Sequence, residues 1–249
     1  MALLLSSISL RAFALPQYQR LVRKEYGFKA PCATCHTQGG GSSLTPYGKA
    51  FDRAGKSSLS IQKIAALSSP GDKLSFGEKL KARANPNDPR STPASPGDWA
   101  GQSDIPVQEL KSFSPPEISN FTVLEGELNK EQIEKLKGRL GVHYQEEDRY
   151  PTFYFGEVDG KKKYVIQYIP VKKLEKAVGL VVSTAGEVVS LAYVGGKKSE
   201  LSQDIKAKLK GATLASLEKD PGEASEEFKQ VRSGVMRGLH GISLVFGKK

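Results

Sequence analysis

The chain has 249 residues and a formal net charge of +10, and 26% of its residues are charged. This length suffices for two small domains, and no apolar run approaches the roughly 20 residues that a membrane-spanning helix needs. Basic and acidic residues are mixed in both halves of the chain, so the positive charge is not concentrated and does not predict a nucleic-acid interface.

The extreme N-terminus carries the strongest apolar stretch, Ala2 to Leu10, and the triplet Ala12-Phe13-Ala14 follows it. A small-x-small triplet after an apolar block is typical of a signal-peptidase site. We therefore predict a signal peptide over residues 1–14 and export of the mature chain to the periplasm or beyond. The alternative is a short amphipathic helix.

Apolar side chains at helical spacing predict helices in the first third of the chain. Tyr18, Leu21 and Val22 stand at i, i+3 and i+4, and Gly27 follows as a stop signal. Helices are predicted over residues 17–26, 46–53 and 60–67. We expect a small all-α domain over residues 15–84.

Residues 85–118 differ in composition, because seven prolines are scattered among serine, aspartate and glycine. Such a segment is either a linker or an extended strap packed across a domain. Trp99 is the one tryptophan in this segment, and a large apolar side chain there favours the packed strap over the linker.

The second half has a different pattern. Ile133, Leu136 and Leu140 predict a helix over residues 130–140, and alternating or apolar runs then predict strands. The strands are expected over residues 152–158, 164–170, 177–183 and 188–194, with helices over 202–209 and 225–239. We expect an α+β domain with an antiparallel sheet over residues 119–249.

Cys32-Ala33-Thr34-Cys35-His36 is a C-x-x-C-H motif, the attachment signature of a c-type haem. Cysteines three apart lie on one face of a helical turn, so both thiols can reach one porphyrin while the adjacent histidine binds the iron. A thioredoxin-like dithiol would need a βαβ context, and a zinc site would need a second ligand pair. Neither is evident in the sequence.

The residues around this motif resemble a family of small exported monohaem cytochrome domains. The shared pattern is Y-G, C-x-x-C-H, a glycine-rich turn and L-x-x-x-G-x-x-F, and it spans about residues 18–55. The matching residues are Tyr26-Gly27, Gly39-Gly40-Gly41, Leu44, Pro46-Tyr47-Gly48 and Phe51. The resemblance implies one haem c on Cys32, Cys35 and His36, with Leu44, Tyr47 and Phe51 as its apolar wall.

The second axial ligand of such an iron is not evident, because no histidine or methionine occurs between Thr37 and Val142. The iron would be five-coordinate, bound by an unusual ligand such as lysine or tyrosine, or completed from the second half. His143, Met236 and His240 are the ordinary candidates, and we favour His240. The alternative for His240 is an exposed histidine near a helix end.

A second resemblance lies in Lys210-Gly211-Ala212-Thr213-Leu214-Ala215-Ser216. This run looks like the S/T-G-A-T-x-x-S motif of the FMN-binding domain in flavin subunits of sodium-pumping quinone reductases and Rnf-type complexes. The resemblance implies a bound FMN near Gly211 and Ala212, attached through Thr213. Lys210 replaces the serine or threonine of the motif, which puts the covalent bond in question.

Together these features favour an exported single-electron carrier over an enzyme, because no hydrolytic triad or nucleotide-phosphate loop is evident. The expected partners are acidic redox proteins or a membrane electron-transport complex, and the diffuse positive charge suits acidic proteins or anionic headgroups. Two alternatives stay open. One is a haem-based sensor with an open iron position, and the other is a docking subunit of a cytochrome assembly.

Overall fold

The computed structural model describes residues 16–37, 43–102, 105–171, 174, 176–194, 200–219, 222 and 224–247. The expected signal peptide and the glycines 39–41 lie outside these ranges. The chain divides into two compact units, the first ending at Pro106 and the second beginning at Val107.

Unit 1 is helical in its described part. Its helices are α1 (Pro16–Tyr26), α2 (Pro46–Arg53), α3 (Ser58–Ile64) and α4 (Phe76–Lys81). Side chains cap the last three: Thr45, Ser57 and Ser75 each accept a backbone N–H from the first turn. Tyr47, Ile61, Phe76 and Leu80 are among the core residues packed between these helices.

Residues 85–106 also pack within unit 1. Trp99 is 4% exposed, and its indole N–H donates to the Arg83 carbonyl at 2.6 Å. The Ser69 hydroxyl donates to the Pro86 carbonyl at 2.7 Å. The proline-rich segment 85–118 is therefore divided between the two units at Pro106.

A buried cation lies inside unit 1. Lys79 is fully buried, and its ammonium pairs with the Asp72 carboxylate and donates to the Asp88 carbonyl at 2.6 Å. Burial alone would raise the pKa of Asp72, but hydrogen bonds from Lys79 and from the Leu74 backbone hold it below its ordinary value. Removing one partner would leave the other charge uncompensated, so the pair holds the α4 region in place.

Unit 2 contains a five-stranded antiparallel sheet whose strand order follows the sequence. The strands are β1 (Asn120–Glu125), β2 (Thr152–Val158), β3 (Lys161–Val171), β4 (Lys176–Ser183) and β5 (Val188–Val194). Asp159 and Gly160 have positive φ angles of 51° and 70°, as a two-residue β2–β3 hairpin requires. The Lys161-Lys162-Lys163 run thus begins β3.

Helices cover one face of this sheet. They are α7 (Gln203–Leu209), α8 (Leu214–Leu217) and the long α9 (Glu226–Phe246), and α6 (Lys130–Leu140) packs on α9. Alternate residues of β3 and β4, such as Ile169, Val178 and Leu180, form the core with α7 and α9. Gly238 lets α9 approach closely, since a Cβ there would lie 2.8 Å from Leu180.

Helix α5 (Val107–Lys111) and the residues after it cover the opposite face of the sheet. Phe113 packs on Gly179, where an added Cβ would lie 2.6 Å from the ring. The Ser190 hydroxyl donates to the Phe113 carbonyl. Ile118 packs on Gly156 in the same way, so two glycines make room for this covering segment.

The structure confirms an N-terminal helical region followed by an α+β unit with an antiparallel sheet. It also contains elements that the sequence analysis missed, namely α4, α5, β1 and α8. The predicted helix at 60–67 is observed at Ser58–Ile64, and the last helix runs to Phe246 instead of ending at residue 239.

We predict that Glu109 makes unit 2 less stable as the pH rises. Its Oε2 is buried with no hydrogen-bond partner among the residues that the structure describes, and burial raises its pKa from 4.5 to about 7, partly offset by a hydrogen bond from Tyr168. The folded state therefore holds the proton more tightly than the unfolded state. The resulting stabilisation is complete below the ordinary pKa and is lost as the pH passes about 7.

Glu109→Gln should therefore raise the free energy of unfolding at about pH 8 by up to about 3 kcal/mol, with a smaller change near pH 5. Urea unfolding at the two pH values measures this difference. Glu187→Gln, at an exposed position, is the matched control. Equal effects of the two substitutions at both pH values would contradict the prediction.

Candidate functional site

The C-x-x-C-H residues form a tight turn in unit 1. Pro31 precedes a 3-10 helix at Cys32–Thr34, and the N–H groups of Cys35 and His36 both donate to the Cys32 carbonyl, at 3.2 and 3.0 Å. Neither cysteine is in a disulfide, and both are partly exposed. The two thiols and the histidine are therefore adjacent on one helical turn.

Backbone carbonyls of this turn are held by α2 and by Asn87. The Thr45 hydroxyl donates to the Thr34 carbonyl at 2.8 Å, and the Thr45 N–H donates to the Cys35 carbonyl at 3.0 Å. The Asn87 amide also donates to Thr34 O, at 2.9 Å, while its own oxygen accepts the Tyr47 N–H at 3.0 Å. Together these bonds join the turn to the first turn of α2.

Gly48 brings α2 against the turn directly. A Cβ at this position would lie 2.2 Å from the Cys35 carbonyl oxygen, closer than atoms can approach. Because the obstacle is backbone, no side-chain rotation could relieve it. Gly48 is thus required by the close approach of the two backbones.

Burial dominates the electrostatics of the site. It raises the pKa of the Cys35 thiol to about 12, and the neighbouring Cys32 adds to the shift. It also raises the pKa of Tyr47, with a further contribution from Cys35. Cys35 is therefore a neutral thiol at neutral pH, whereas reactive dithiol sites lower the pKa of one cysteine.

Polar groups around the turn are buried. His36 is 3% exposed, and its backbone pairs with Leu44 in an isolated β-bridge. Gln19 of α1 donates to the Ala30 carbonyl at 2.9 Å and contacts Cys32 Sγ at 3.7 Å. The Tyr47 hydroxyl is buried without a hydrogen-bond partner among the described residues.

The three residues expected to form an apolar wall behave differently from one another. Tyr47 and Phe51 are 0% and 4% exposed and pack edge-on against Phe76 and Tyr18, respectively. They belong to the core of unit 1. Leu44 is only partly buried, so it is the member of the three with accessible apolar surface beside His36.

The candidates for a second iron ligand all lie in unit 2, whereas His36 lies in unit 1. His143 is exposed, and its Nδ1 lies 3.0 Å from the Ser233 hydroxyl. Met236 packs beside the core. His240 is 3% exposed and lies within α9, so the alternative of an exposed helix-end histidine is wrong.

The surroundings of His240 favour its neutral form. Burial lowers its pKa, Glu218 acts in the opposite direction, and Arg139 lowers it further. Its Nε2 lies 3.8 Å from Glu218, and its Nδ1 is buried without a hydrogen-bond partner among the described residues. A neutral imidazole with such a nitrogen has the electronic form of a metal ligand.

The segment expected to hold a flavin phosphate forms a turn at the edge of the sheet. The Gly211 N–H donates to Val188 O at 2.7 Å, and the Ala212 N–H donates to Leu209 O at 3.2 Å. The Thr213 N–H donates to the Ser216 hydroxyl at 3.0 Å. All three N–H groups therefore already have acceptors, so a phosphate at this turn would depend on side chains.

Thr213 nevertheless lines a cavity of about 520 Å³ within unit 2. Leu239, Ile242 and Phe246 of α9 form an apolar wall, and Lys162 lies on the rim. The Lys162 ammonium sits 4.5 Å from the centre of the Phe155 ring, which also lines the cavity. An apolar wall with a few polar groups is typical of a small-molecule site.

Sequence reasoning identified the cysteines, His36 and Thr213, but it missed the residues that position them. Asn87 is 53 positions from Thr34, whose carbonyl it binds, and no local pattern marks it. Thr45-Pro46 was detectable, since a threonine before a proline is a typical helix start. Its second role, binding the C-x-x-C-H turn, depends on tertiary packing.

Comparison with protein-family models, with curated proteins and with solved structures finds no match. Within the described ranges, no three His, Cys, Asp or Glu side chains are grouped so that they could hold a metal ion. The helices that the structure describes include none that is long and apolar enough to span a bilayer.

We predict that Gly48→Ala destabilises unit 1 by about 3 kcal/mol, because the added methyl must push α2 away from Cys35. Gly138→Ala is the matched control: its Cβ would meet no atom within 4 Å, and alanine in a helix should stabilise by about 0.5–1 kcal/mol. Chemical denaturation measures both. Equal stability of the two variants would show that the close approach at Gly48 is not required.

Proposed function

We propose that this protein is an exported single-electron carrier with one c-type haem held by Cys32, Cys35 and His36. The observation that carries the proposal is the C-x-x-C-H turn itself, with two cysteines that form no disulfide beside a histidine, and a backbone hydrogen-bonded to the start of α2. When bound, the haem iron supplies reversible one-electron oxidation and reduction. Its expected location is the periplasm or outside the cell.

Each residue of the turn has a role in this proposal. Cys32 and Cys35 provide the two thioether sulfurs, and His36 provides the iron-binding nitrogen. Thr45 and Asn87 hold the carbonyls of the turn, which keeps the three side chains in a constant relation. Leu44, whose side chain is only partly covered, would shield one edge of the cofactor from water.

Dithiol exchange suits the site less well than haem attachment. Thiol–disulfide exchange proceeds through a thiolate, and such sites stabilise it with nearby positive charge or a helix N-terminus. Here burial raises the pKa of Cys35 to about 12. Thioether formation on a haem consumes the thiols once, so the site need not maintain a reactive thiolate afterwards.

We predict that protein matured in a host with cytochrome c assembly machinery retains haem after acid-acetone extraction, since only thioether bonds resist it. The double variant Cys32→Ser/Cys35→Ser should lose all such haem. Pyridine haemochrome spectra measure the haem. Ser60→Ala, at another buried polar position of unit 1, is the control for folding. Extractable haem, or none in the natural sequence, would overturn the proposal.

Ligation of the iron distinguishes a carrier from the second candidate, a haem-based sensor. Residues 2–106 contain no histidine other than His36 and no methionine. The usual second iron ligands are therefore missing from unit 1, which favours an open iron position. An electron carrier should be low-spin, and we predict that His240→Ala removes that state. A high-spin iron that binds carbon monoxide in the natural sequence would favour the sensor.

We also propose that unit 2 binds FMN in the cavity beside Thr213. The support is the coincidence of the threonine with an apolar-walled cavity of about 520 Å³. The N–H groups of Gly211 and Ala212 already donate to backbone carbonyls, so they do not bind a phosphate. Lys162, which lines the cavity, provides the positive charge for it instead. The Thr213 hydroxyl is the group that a phosphoester would use.

Mass spectrometry of the C-terminal peptides tests the flavin. Attached FMN adds its mass to the peptide that contains Thr213, and Thr213→Ala should abolish that increase. Thr184→Ala, a second threonine on the same cavity, should leave it unchanged. Free FMN released by acid means non-covalent binding, which Ala215→Trp should block by filling the cavity. No flavin under either condition would leave unit 2 as a docking unit.

A further inference from the structure

The strand β1 forms an open edge of the sheet in unit 2. Among the residues that the structure describes, it pairs with β2 alone and is the first strand in the sheet order. The opposite edge is partly closed, because Val188 of β5 donates its N–H to Ala212 O at 2.9 Å and accepts the Gly211 N–H at 2.7 Å. A strand with a row of unpaired N–H and C=O groups is a template for a further strand. β1 is therefore the edge at which a strand can be added.

Backbone groups of alternate residues in β1 point toward this edge. The N–H of Gly126, directly after β1, donates to Pro151 O at 2.9 Å in the register of the β1–β2 pair. Hydrogen-bonded positions alternate along an antiparallel pair, so the even-numbered residues of β1 bond to β2. The N–H and C=O groups of Phe121 and Val123 therefore point away from β2.

The sequence of β1 lacks the features that usually protect an exposed edge. Natural edge strands carry lysine or proline, or they are interrupted by a bulge. β1 reads Asn-Phe-Thr-Val-Leu-Glu, and its six pairs with β2 run without a register shift. Its one charged side chain is Glu125. Neither its side chains nor its register opposes the addition of a strand.

Apolar side chains are exposed beside this edge, on the face of the sheet that α9 covers. Leu124 is 42% exposed and stands opposite Phe153 of β2, and Thr122 stands opposite Phe155. Phe246 at the end of α9 is 41% exposed, and its ring centre lies 4.8 Å from that of Phe153 and 5.6 Å from that of Phe155. Exposed apolar side chains next to an open edge are typical of an association surface.

We propose that β1 pairs with β1 of a second copy of this chain, antiparallel about a two-fold axis at Val123. Thr122 and Leu124 are two positions apart on one face of the strand, so this axis places each opposite the other. Every exposed Leu124 is then covered by a side chain of the second copy. The contact is isologous, as in most homodimers, and the two five-stranded sheets become continuous.

The hydrogen-bonding pattern selects the position of the axis. Two edges that use their outward-pointing groups must place odd-numbered residues opposite odd-numbered residues, so the axis passes through a residue. An axis at Thr122 would place Ser119 in a hydrogen-bonded position, but the Ser119 N–H already donates to Glu157 O at 2.9 Å. An axis at Val123 joins the backbone of Val123 to its counterpart.

Charge does not oppose this pairing, although the chain carries a net charge of +10. β1 contributes no cation. Its Glu125 stands opposite Phe121 of the second copy, four positions from the other Glu125, or about 13 Å along a strand. This separation exceeds the screening length of about 8 Å at physiological salt. The second copy therefore fits the edge in backbone, side chains and charge.

Sedimentation velocity of the full-length chain, from micromolar to millimolar concentration, measures the association. We expect a reversible monomer–dimer equilibrium, because one strand pair is smaller than the interface of a permanent dimer. Val123→Pro should weaken the dimer at least about tenfold, since proline removes an N–H that points to the edge. Proline is tolerated where the N–H faces away from the sheet, so the far-UV circular dichroism spectrum should stay unchanged.

Leu124→Lys tests the same edge through a side chain. Lysine on an edge strand opposes the addition of another strand, so this variant should weaken the dimer as Val123→Pro does. Val142→Lys is the matched control, because Val142 is 95% exposed in the 3-10 helix Gly141–His143 and the substitution adds the same charge. Its dissociation constant should stay within about twofold of that of the natural sequence.

Backbone amide exchange, measured by NMR, locates the contact. In dilute protein the Val123 amide should exchange faster than those of Thr122 and Leu124, and it should become protected at high concentration. Protection of Val123 in the dilute monomer would show that another segment of the chain covers β1, and it would overturn the proposal. A natural chain that stays monomeric, or a dimer that both edge variants retain, would also overturn it. None of these measurements depends on the haem or the flavin.

Discussion

The contact between α2 and the C-x-x-C-H turn is made by backbone, and the arrangement of unit 1 around its cysteines depends on it. Gly48 allows a carbonyl oxygen to lie where a Cβ would otherwise stand. Thr45 uses its hydroxyl both to cap α2 and to bind the Thr34 carbonyl. Because one residue serves the helix and the turn together, the position of the thiols is coupled to the folding of α2.

Asn87 extends this coupling to the proline-rich part of unit 1. Its amide binds the turn and its oxygen binds the start of α2, so it fills the corner between them. The Ser69 hydroxyl and the Lys79 ammonium hold the same segment through the Pro86 and Asp88 carbonyls. The buried lysine and the asparagine thus replace apolar packing with directional bonds in a unit too small for a large core.

Glycines in unit 2 also allow close packing, but there they bring neighbouring secondary-structure elements together and do not hold a candidate site. Gly179 accepts the Phe113 ring on one face of the sheet, and Gly238 brings α9 close on the other. The close fit of α9 places Leu239, Ile242 and Phe246 along one wall of the cavity. The cavity beside Thr213 therefore follows from how α9 packs on the sheet and not from the G-A-T residues alone.

Local sequence pattern was sufficient to predict most helices and strands and the C-x-x-C-H motif. It was insufficient to predict the residues that pack around them. Apolar periodicity predicted α1, α6 and four of the strands, since each has many neighbours of its own period. It missed α4 and β1, which are six residues each, because short elements carry too few repeats to be distinguished. The burial of His240 does not follow from local pattern, because it depends on which elements pack against that side of α9.

The sequence by itself determined the chemistry available to the protein, since C-x-x-C-H spacing places two thiols and an imidazole on one turn wherever that turn folds. It also determined that helices come first and an antiparallel sheet second. Tertiary structure alone decided that the Gly211–Thr213 N–H groups are used within the fold. It alone decided that the Asn87 amide binds the C-x-x-C-H turn, because that contact joins residues 53 positions apart in the chain.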